Sequence, residues 1–260
     1  MPISSAALTS GCSVWTGTLI AQSLGNVSEG KVWQVLRQQK ISLARKKSWS
    51  ISTDPEFTAK AADIVGLYLN PPQNAVVLCV DEKPCIQALE RDQGWIRLPN
   101  GKALTGYSHE YTRHGTTTLF AAMETATGLV KTTTFKRRRR REFLHFMNEV
   151  VEMYGESQIH VILDNLNTHK PKEDRWLSQH SNVHFHFTPT HASWLNQVEI
   201  WFSILSRQAL RKTSFTSVPQ LKEAIERFVK AYNPKAQPFE WTKGVVKPQG
   251  LKSYIEIQSK

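Results

Sequence analysis

The chain has only three cysteines, Cys12, Cys79 and Cys85, in 260 residues. An odd, scattered set supports no disulfide framework and lacks the CxxC pairing of a zinc site, so it fits a reducing compartment. No apolar run approaches the roughly 18 residues that a membrane-spanning helix needs. The opening residues, MPISSAALTSGCSVW, hold no basic segment followed by an apolar one, which argues against a secretory signal. No internal repeat is visible. Acids are scarce as well: 22 Asp and Glu stand against 33 Lys and Arg, a net charge of +11. Such an excess favours a polyanionic partner, most simply nucleic acid. With 40% hydrophobic and 21% charged residues, the composition is that of a folded protein rather than a disordered one. The length allows one sizeable core and a small accessory module.

Residues 1–50 read as that module together with a basic linker. TGTLIAQSL places Leu19, Ile20 and Leu24 on one side of a short helix that stops at Gly25-Asn26. Ser28 is the expected N-cap of a second helix, EGKVWQVLRQQK, in which Val32 and Leu36 repeat at i, i+4. Lys31 and Arg37 lie on its other faces, suited to DNA phosphates and base edges. The pattern fits the recognition half of a helix-turn-helix, and it also fits a plain helical hairpin. Arg45, Lys46 and Lys47 add a basic stretch that continues the expected DNA contact.

Residues 51–260 read as one mixed α/β domain. Thr53 or Asp54 caps a helix with Pro55 in its first turn, and Phe57, Ala61, Ile64 and Tyr68 form its apolar stripe. NAVVLCVDE and IHVILDN are short buried strands, and TTLFAAMETATG with LVKTTTF is a strand, a Gly turn and another strand. NVHFHFTP alternates cleanly, as a strand with one covered face does. REFLHFMNEVVEMYG is a helix with Phe143, Phe146, Val150 and Met153 inward, KEDRWLSQH is a short helix, and VPQLKEAIERFVKAYN is the last.

Two of these strands end in an acid, Asp81 and Asp164. An Asp after a strand is commonly a turn former or a cap. Two of them, each directly after an apolar strand, point instead to a divalent-cation site at a sheet edge. The stretch THASWLNQVEIWFSIL then places Glu199 among Trp194, Leu195, Val198, Trp201, Phe202 and Leu205, read as one helix. At ~100° per residue, Asn196, Glu199, Ser203 and Arg207 make a narrow polar stripe with Glu199 on its border. The apolar face would anchor the helix on the sheet while Glu199 reaches over the edge; the plainer alternative is a surface Glu paired with Ser203 or Arg207. Three carboxylates from two strands and one helix suit two Mg²⁺ or Mn²⁺ ions, the arrangement that serves phosphodiester hydrolysis and strand transfer.

Asp81 with Glu82, LDNLNTH around Asp164, and SWLNQVEIWFS around Glu199 resemble the DDE triad of mariner-like transposases, most of all their bacterial insertion-sequence branch. The 34 residues between Asp164 and Glu199 match that superfamily's short second interval. The resemblance extends from about Trp15 to Trp241 and takes in SWSISTDPEF, LYLNPP, EYTRHGTTTLFAA and NPKAQPFEW. It implies an RNase H-like catalytic core, a mixed central sheet flanked by helices, preceded by a helix-turn-helix module. It further implies Mg²⁺-dependent cleavage at transposon inverted-repeat ends and insertion at TA dinucleotides. Members usually begin with two helix-turn-helix units, whereas this sequence reads as starting inside the second.

Several residues remain around that triad. Glu82, Asn165, His169 and Asn196 are expected to support the metal-holding acids. The run Lys136, Arg137, Arg138, Arg139, Arg140 and Arg141 reads as a grip on the DNA backbone, or more plainly as a solvated basic loop. His184 and His186 share one strand face with His191 soon after, and packing suits them better than zinc. The expected partners are transposon-end and target DNA, bound by a homodimer in the bacterial cytoplasm at the nucleoid. The competing expectation is a transposase-derived DNA-binding protein without catalytic activity.

Overall fold

A computed structural model describes residues 16–39, 52–173, 175–211 and 213–242, divided into two compact units between Trp49 and Ser50. Arg45, Lys46, Lys47 and the first 15 residues lie outside the described residues.

The first unit holds α1 (Gly17–Leu24) and α2 (Glu29–Gln38). Thr16 Oγ1 caps α1 by accepting from Leu19 N at 3.1 Å, and Gly25, at φ 73°, ends it. The Ser28 hydroxyl caps α2 by accepting from Lys31 N, as the sequence led us to expect. Ile20, Val32 and Leu36 make a small core of their own. Gly17 is required there: a Cβ would stand 2.5 Å from the Trp33 ring. Lys31 and Arg37 are exposed on α2.

In the second unit, α3 (Phe57–Leu69) is introduced by Asp54, whose carboxylate accepts from Glu56 N and from the distant Thr190 N, each at 3.0 Å. Neither expected residue is the N-cap: Glu56 stands there without a side-chain cap bond, and Asp54 instead braces the turn before the helix. The strands that follow are β1 (Ala75–Glu90), β2 (Gln93–Arg97), β3 (Ala103–Tyr107), β4 (Thr112–Glu124), β5 (Val130–Phe135), β6 (Gln158–Leu163) and β7 (Val183–Phe187). Five of them form one sheet in the order β5-β4-β1-β6-β7. β1, β4 and β5 run antiparallel; β1, β6 and β7 run parallel. β2 and β3 form a separate hairpin that the sequence reading left without structure. The Asn100-Gly101 pair at its turn, with Gly101 at φ 81°, is the signal that marks it.

Period-two alternation sorts the sheet's side chains into two cores. Val77 and Cys79 of β1, Leu119, Ala121 and Met123 of β4, and Ile162 of β6 join α3, α6 (Val198–Leu205) and α7 (Val218–Tyr232). Leu78, Val80, Phe120, Ala122, Val161 and Leu163 face the other way and join α4 (Arg140–Tyr154) and α5 (Trp176–Gln179). On α4 the buried apolar residues are Phe143, Phe146, Met147 and Val150, whereas Met153, expected inward, is 57% exposed. Two further differences bear on the site. β1 does not end at Asp81 but runs nine residues further, through an irregularity between Lys83 and Ile86 where Cys85 takes φ 53°. The segment expected to be one helix is broken: a 3-10 turn over Ser193–Leu195 is followed by extended backbone at Asn196, and α6 begins only at Val198.

Candidate active site

Alternation along β1 places Asp81 on the α6 side of the sheet and Glu82 on the α4 side. Asp81 is mid-strand, yet its flank is open, because the β1–β6 ladder stops at Cys79↔Ile162 and β6 ends at Leu163. Asp164 follows at once. Parallel pairing thus delivers two acids to the same end of neighbouring strands, where the ladder between those strands has stopped.

Glu199 comes from the first turn of α6, where a carboxylate also complements the helix dipole. Its position is set by the non-helical link before it. Asn196, fully buried, donates from Nδ2 to the Val80 carbonyl at 2.9 Å, immediately before Asp81. The Tyr68 hydroxyl donates to Leu195 O at 2.7 Å, and Gln197 Nε2 donates to Phe239 O. Asn196 is therefore no member of an exposed polar stripe, as a continuous helix would have made it. The helix break turns it inward and fastens α6 to β1.

The three carboxylates act on one another electrostatically. Burial pushes the Asp81 carboxyl up to about 8, and the charges of Asp164, Glu82 and Glu199 add to that, while the Glu82 N–H bonded to its Oδ1 opposes. Glu199 is exposed as a residue, but crowding about its carboxyl raises it; Lys83 opposes that shift and Asp164 adds to it. Among the described residues, no three His, Cys, Asp or Glu side chains stand in a ready coordination geometry. Like charges left facing one another repel. The donor set nonetheless fits a hard divalent cation: a buried carboxyl with one backbone partner and acidic neighbours is stable as an anion only when positive charge meets it.

Asp164 is treated differently. Burial raises its carboxyl, but bonds from His169 and Leu166 N, with the charges of His169 and Arg138, carry it below its ordinary value. His169 is buried between two acids, with Nδ1 2.7 Å from Asp164 Oδ1 and Nε2 2.9 Å from Glu82 Oε1. Burial pulls His169 down; its bonds to Asp164 and Glu82 outweigh that and push it to about 10. A charged imidazolium donating from both nitrogens is the consequence. The ring lies 4.7 Å from Phe143, and Arg140 Nη1 donates to Thr168 O and His169 O, which fixes the loop. Asn165 Nδ2 donates to Thr188 O and joins the ends of β6 and β7.

The basic run is split by these contacts. Arg139 is bonded to Glu142, Arg140 is committed to the His169 loop, and Arg138 acts on Asp164 at a distance. Lys136 and Arg137 line a different cleft with Gly115, Thr116, Thr117, Val218 and Lys222. Sequence reasoning set Arg207 beside Glu199 but passed over two further cations, Lys83 and Arg211. Lys83, Arg207 and Arg211 line an open cleft of about 410 Å³ with Glu199, Phe202, Ser203 and Ser206. Separation in the sequence, 83 against 199, concealed Lys83. His160 Nδ1 and His186 Nε2 stand 2.9 Å apart and His186 bonds Asp63, a packed network away from the acids.

A family model described as a DDE superfamily endonuclease matches residues 76–222, more than half of the chain and inclusive of all three acids. No curated protein sequence matches. Solved structures that match include a pre-cleavage Mos1 transpososome, at 13% identity and TM-score 0.57, covering 85% of this chain and 68% of that one. The mariner Mos1 paired end complex with Mg matches at 15% identity and TM-score 0.59, covering 84% and 67%. The Mos1 strand transfer complex matches at 14% and 0.58, covering 86% and 68%. These likenesses establish the RNase H-like fold, a mixed sheet of five strands with helices on both faces. The chain belongs to the DDE superfamily of endonucleases.

Proposed function

We propose that this protein is a DNA transposase of the mariner-like kind, of the bacterial insertion-sequence branch. It would cut at the inverted-repeat ends of its element and join them to target DNA at TA sites. The observation that carries the reading is the coupling of the charges of Asp81 on β1, Asp164 just after β6 and Glu199 on α6. The structural relatives support it, since they include Mos1 paired-end complexes with a transposon end and with Mg or Mn. Lys31 and Arg37 of α2, with the basic stretch beyond it, would bind the transposon ends, and assembly on two ends calls for a homodimer. Among the described residues no helix is long and apolar enough to cross a membrane.

Asp81, Asp164 and Glu199 would hold two Mg²⁺ or Mn²⁺ ions. Such ions, when bound, supply activation of water or a DNA 3′-hydroxyl and stabilisation of the leaving oxygen. The chain's own contribution is positional. His169, braced by Glu82, keeps Asp164 ionised and fixes which of its oxygens is free. Asn196 holds the start of α6 against β1, so Glu199 approaches Asp81 on a rigid element. Glu82, Asn165, His169 and Asn196 are thus positioning residues.

The test uses labelled inverted-repeat DNA with the full chain in Mg²⁺, Mn²⁺ or EDTA. Metal-dependent nicking that disappears in Asp164→Ala, with DNA binding retained, is the expected result. Binding without cleavage in any metal would favour the non-catalytic, transposase-derived DNA-binding protein instead.

A further inference from the structure

We infer that Lys83, Arg207 and Arg211 form a phosphate-binding cleft against Glu199, which holds a phosphodiester of the DNA strand adjoining the bond to be cut. The inference deepens the transposase reading and rests on it. Lys83 lies two residues beyond Asp81 on β1, so alternation sends both to the same face of the strand. Arg207 and Arg211 reach the cleft from beyond the C-terminal end of α6. The helix ends there in a π-turn over Ser206–Leu210, closed by Arg211 N donating to Ser206 O at 2.7 Å. Residues four apart lie on the same side of a helical turn, so Arg207 and Arg211 reach one cleft.

The chemistry of the cleft selects an anion. Among the described residues, Lys83, Arg207 and Arg211 make no ion pair; the Arg207 side chain is held by Nε donating to Ser203 O at 3.3 Å, which leaves its outer nitrogens for a ligand. The Ser203 and Ser206 hydroxyls donate to the carbonyls of Glu199 and Phe202, so the cations are the free donors. Three positive charges face one carboxylate, and that carboxylate is occupied when it serves a metal. A fork-shaped guanidinium suits phosphate oxygens, and about 410 Å³ of open space accommodates a nucleotide-sized group. Placed beside Glu199, the cleft would set the register of the strand relative to the acids.

The test measures binding of the full chain to inverted-repeat duplex in EDTA across a salt series, which removes cleavage from the readout. Each of Lys83→Gln, Arg207→Gln and Arg211→Gln should reduce the slope of log affinity against log salt by about 0.9, and the triple variant by nearly three times that. Arg207→Lys should restore most of the lost slope while leaving cleavage misregistered by a nucleotide or impaired. Lys230→Gln, which removes the same charge from α7, should leave the slope at its parental value. A triple variant with parental circular dichroism, melting temperature and salt slope would overturn the assignment. If the parent binds DNA normally but never cuts it, the transposase reading fails while the slope still decides the cleft; if the parent does not bind DNA, both fail.

Discussion

Asp54 and Asp81 are both aspartates with side chains almost out of solvent, 4% exposed for the one and 5% as a residue for the other. Their surroundings are opposite. Asp54 accepts from Thr190 N, Glu56 N and Lys60, and these bonds bring its carboxyl down to about 2. Asp81 accepts one backbone N–H and faces further acids, and burial pushes it up to about 8. The fold treats the first as a structural joint between α3 and the turn at Thr190. It leaves the second under-compensated where the β1–β6 ladder has stopped, as a stability–activity trade-off would have it if a cation met that carboxylate. Neighbouring Glu82 shows that the difference is one of facing, not of sequence: a single step along β1 carries it to the other side, where His169 meets it.

The comparison breaks first on activity. Asp81→Asn is expected to reduce metal-dependent DNA cleavage by about three orders of magnitude or more, whereas Asp54→Asn, where still folded, should cut at a rate within a fewfold of the parent. Comparable losses in both would mean that Asp81 has no special part. His169→Gln should stand between them, with cleavage down by roughly 10- to 100-fold and a higher Mn²⁺ concentration needed for half-maximal rate. An unaltered metal requirement would reduce His169 to packing. On stability the order reverses. Asp54→Ala should cost about 1–3 kcal/mol in urea unfolding, through the lost bonds from Thr190 N and Glu56 N, while Asp81→Asn in EDTA should gain roughly 1 kcal/mol.

The pH dependence sharpens the same contrast. The folded carboxyl of Asp54 lies at about 2 against its ordinary 3.8, so its contribution is complete above that value and drains away as pH falls through 3.8 toward 2. The gap in urea midpoint between parent and Asp54→Asn should shrink over that interval. A gap that stays constant down to pH 2 would show that the carboxyl adds nothing through its charge.

Much of the site was legible because its acids sit where local patterns announce them. An apolar run ending in Asp needs no distant information, and Asp81 and Asp164 were read that way. Glu199 stood out as an acid in an apolar helix. Asp81 nevertheless proved to be mid-strand, since the sequence cannot show that β6 stops while β1 goes on with β4 alone. The break at Asn196 was hidden for a related reason. Its causes are bonds to Val80 and from Tyr68 to Leu195, which span more than a hundred residues, whereas helical periodicity reports only near neighbours. The basic run was the loudest signal in the chain, yet Arg139 and Arg140 are spent on internal bonds, and the quieter Lys83, Arg207 and Arg211 gather next to an acid.

The tie from Tyr68 to Leu195 crosses 127 residues, and that from Asn196 to Val80 crosses 116. Closing loops of that size comes late in folding, after strand pairs nearer in the chain have formed. A nascent chain thus carries Asp81 and Asp164 for some time before Glu199 can be fixed beside them. The protein should be harmless to DNA until it is nearly complete, a form of quality control in which only the finished fold can cut. In refolding from urea, stabilisation by Mn²⁺ is accordingly expected to return after the circular dichroism of the sheet; simultaneous recovery would remove the delay.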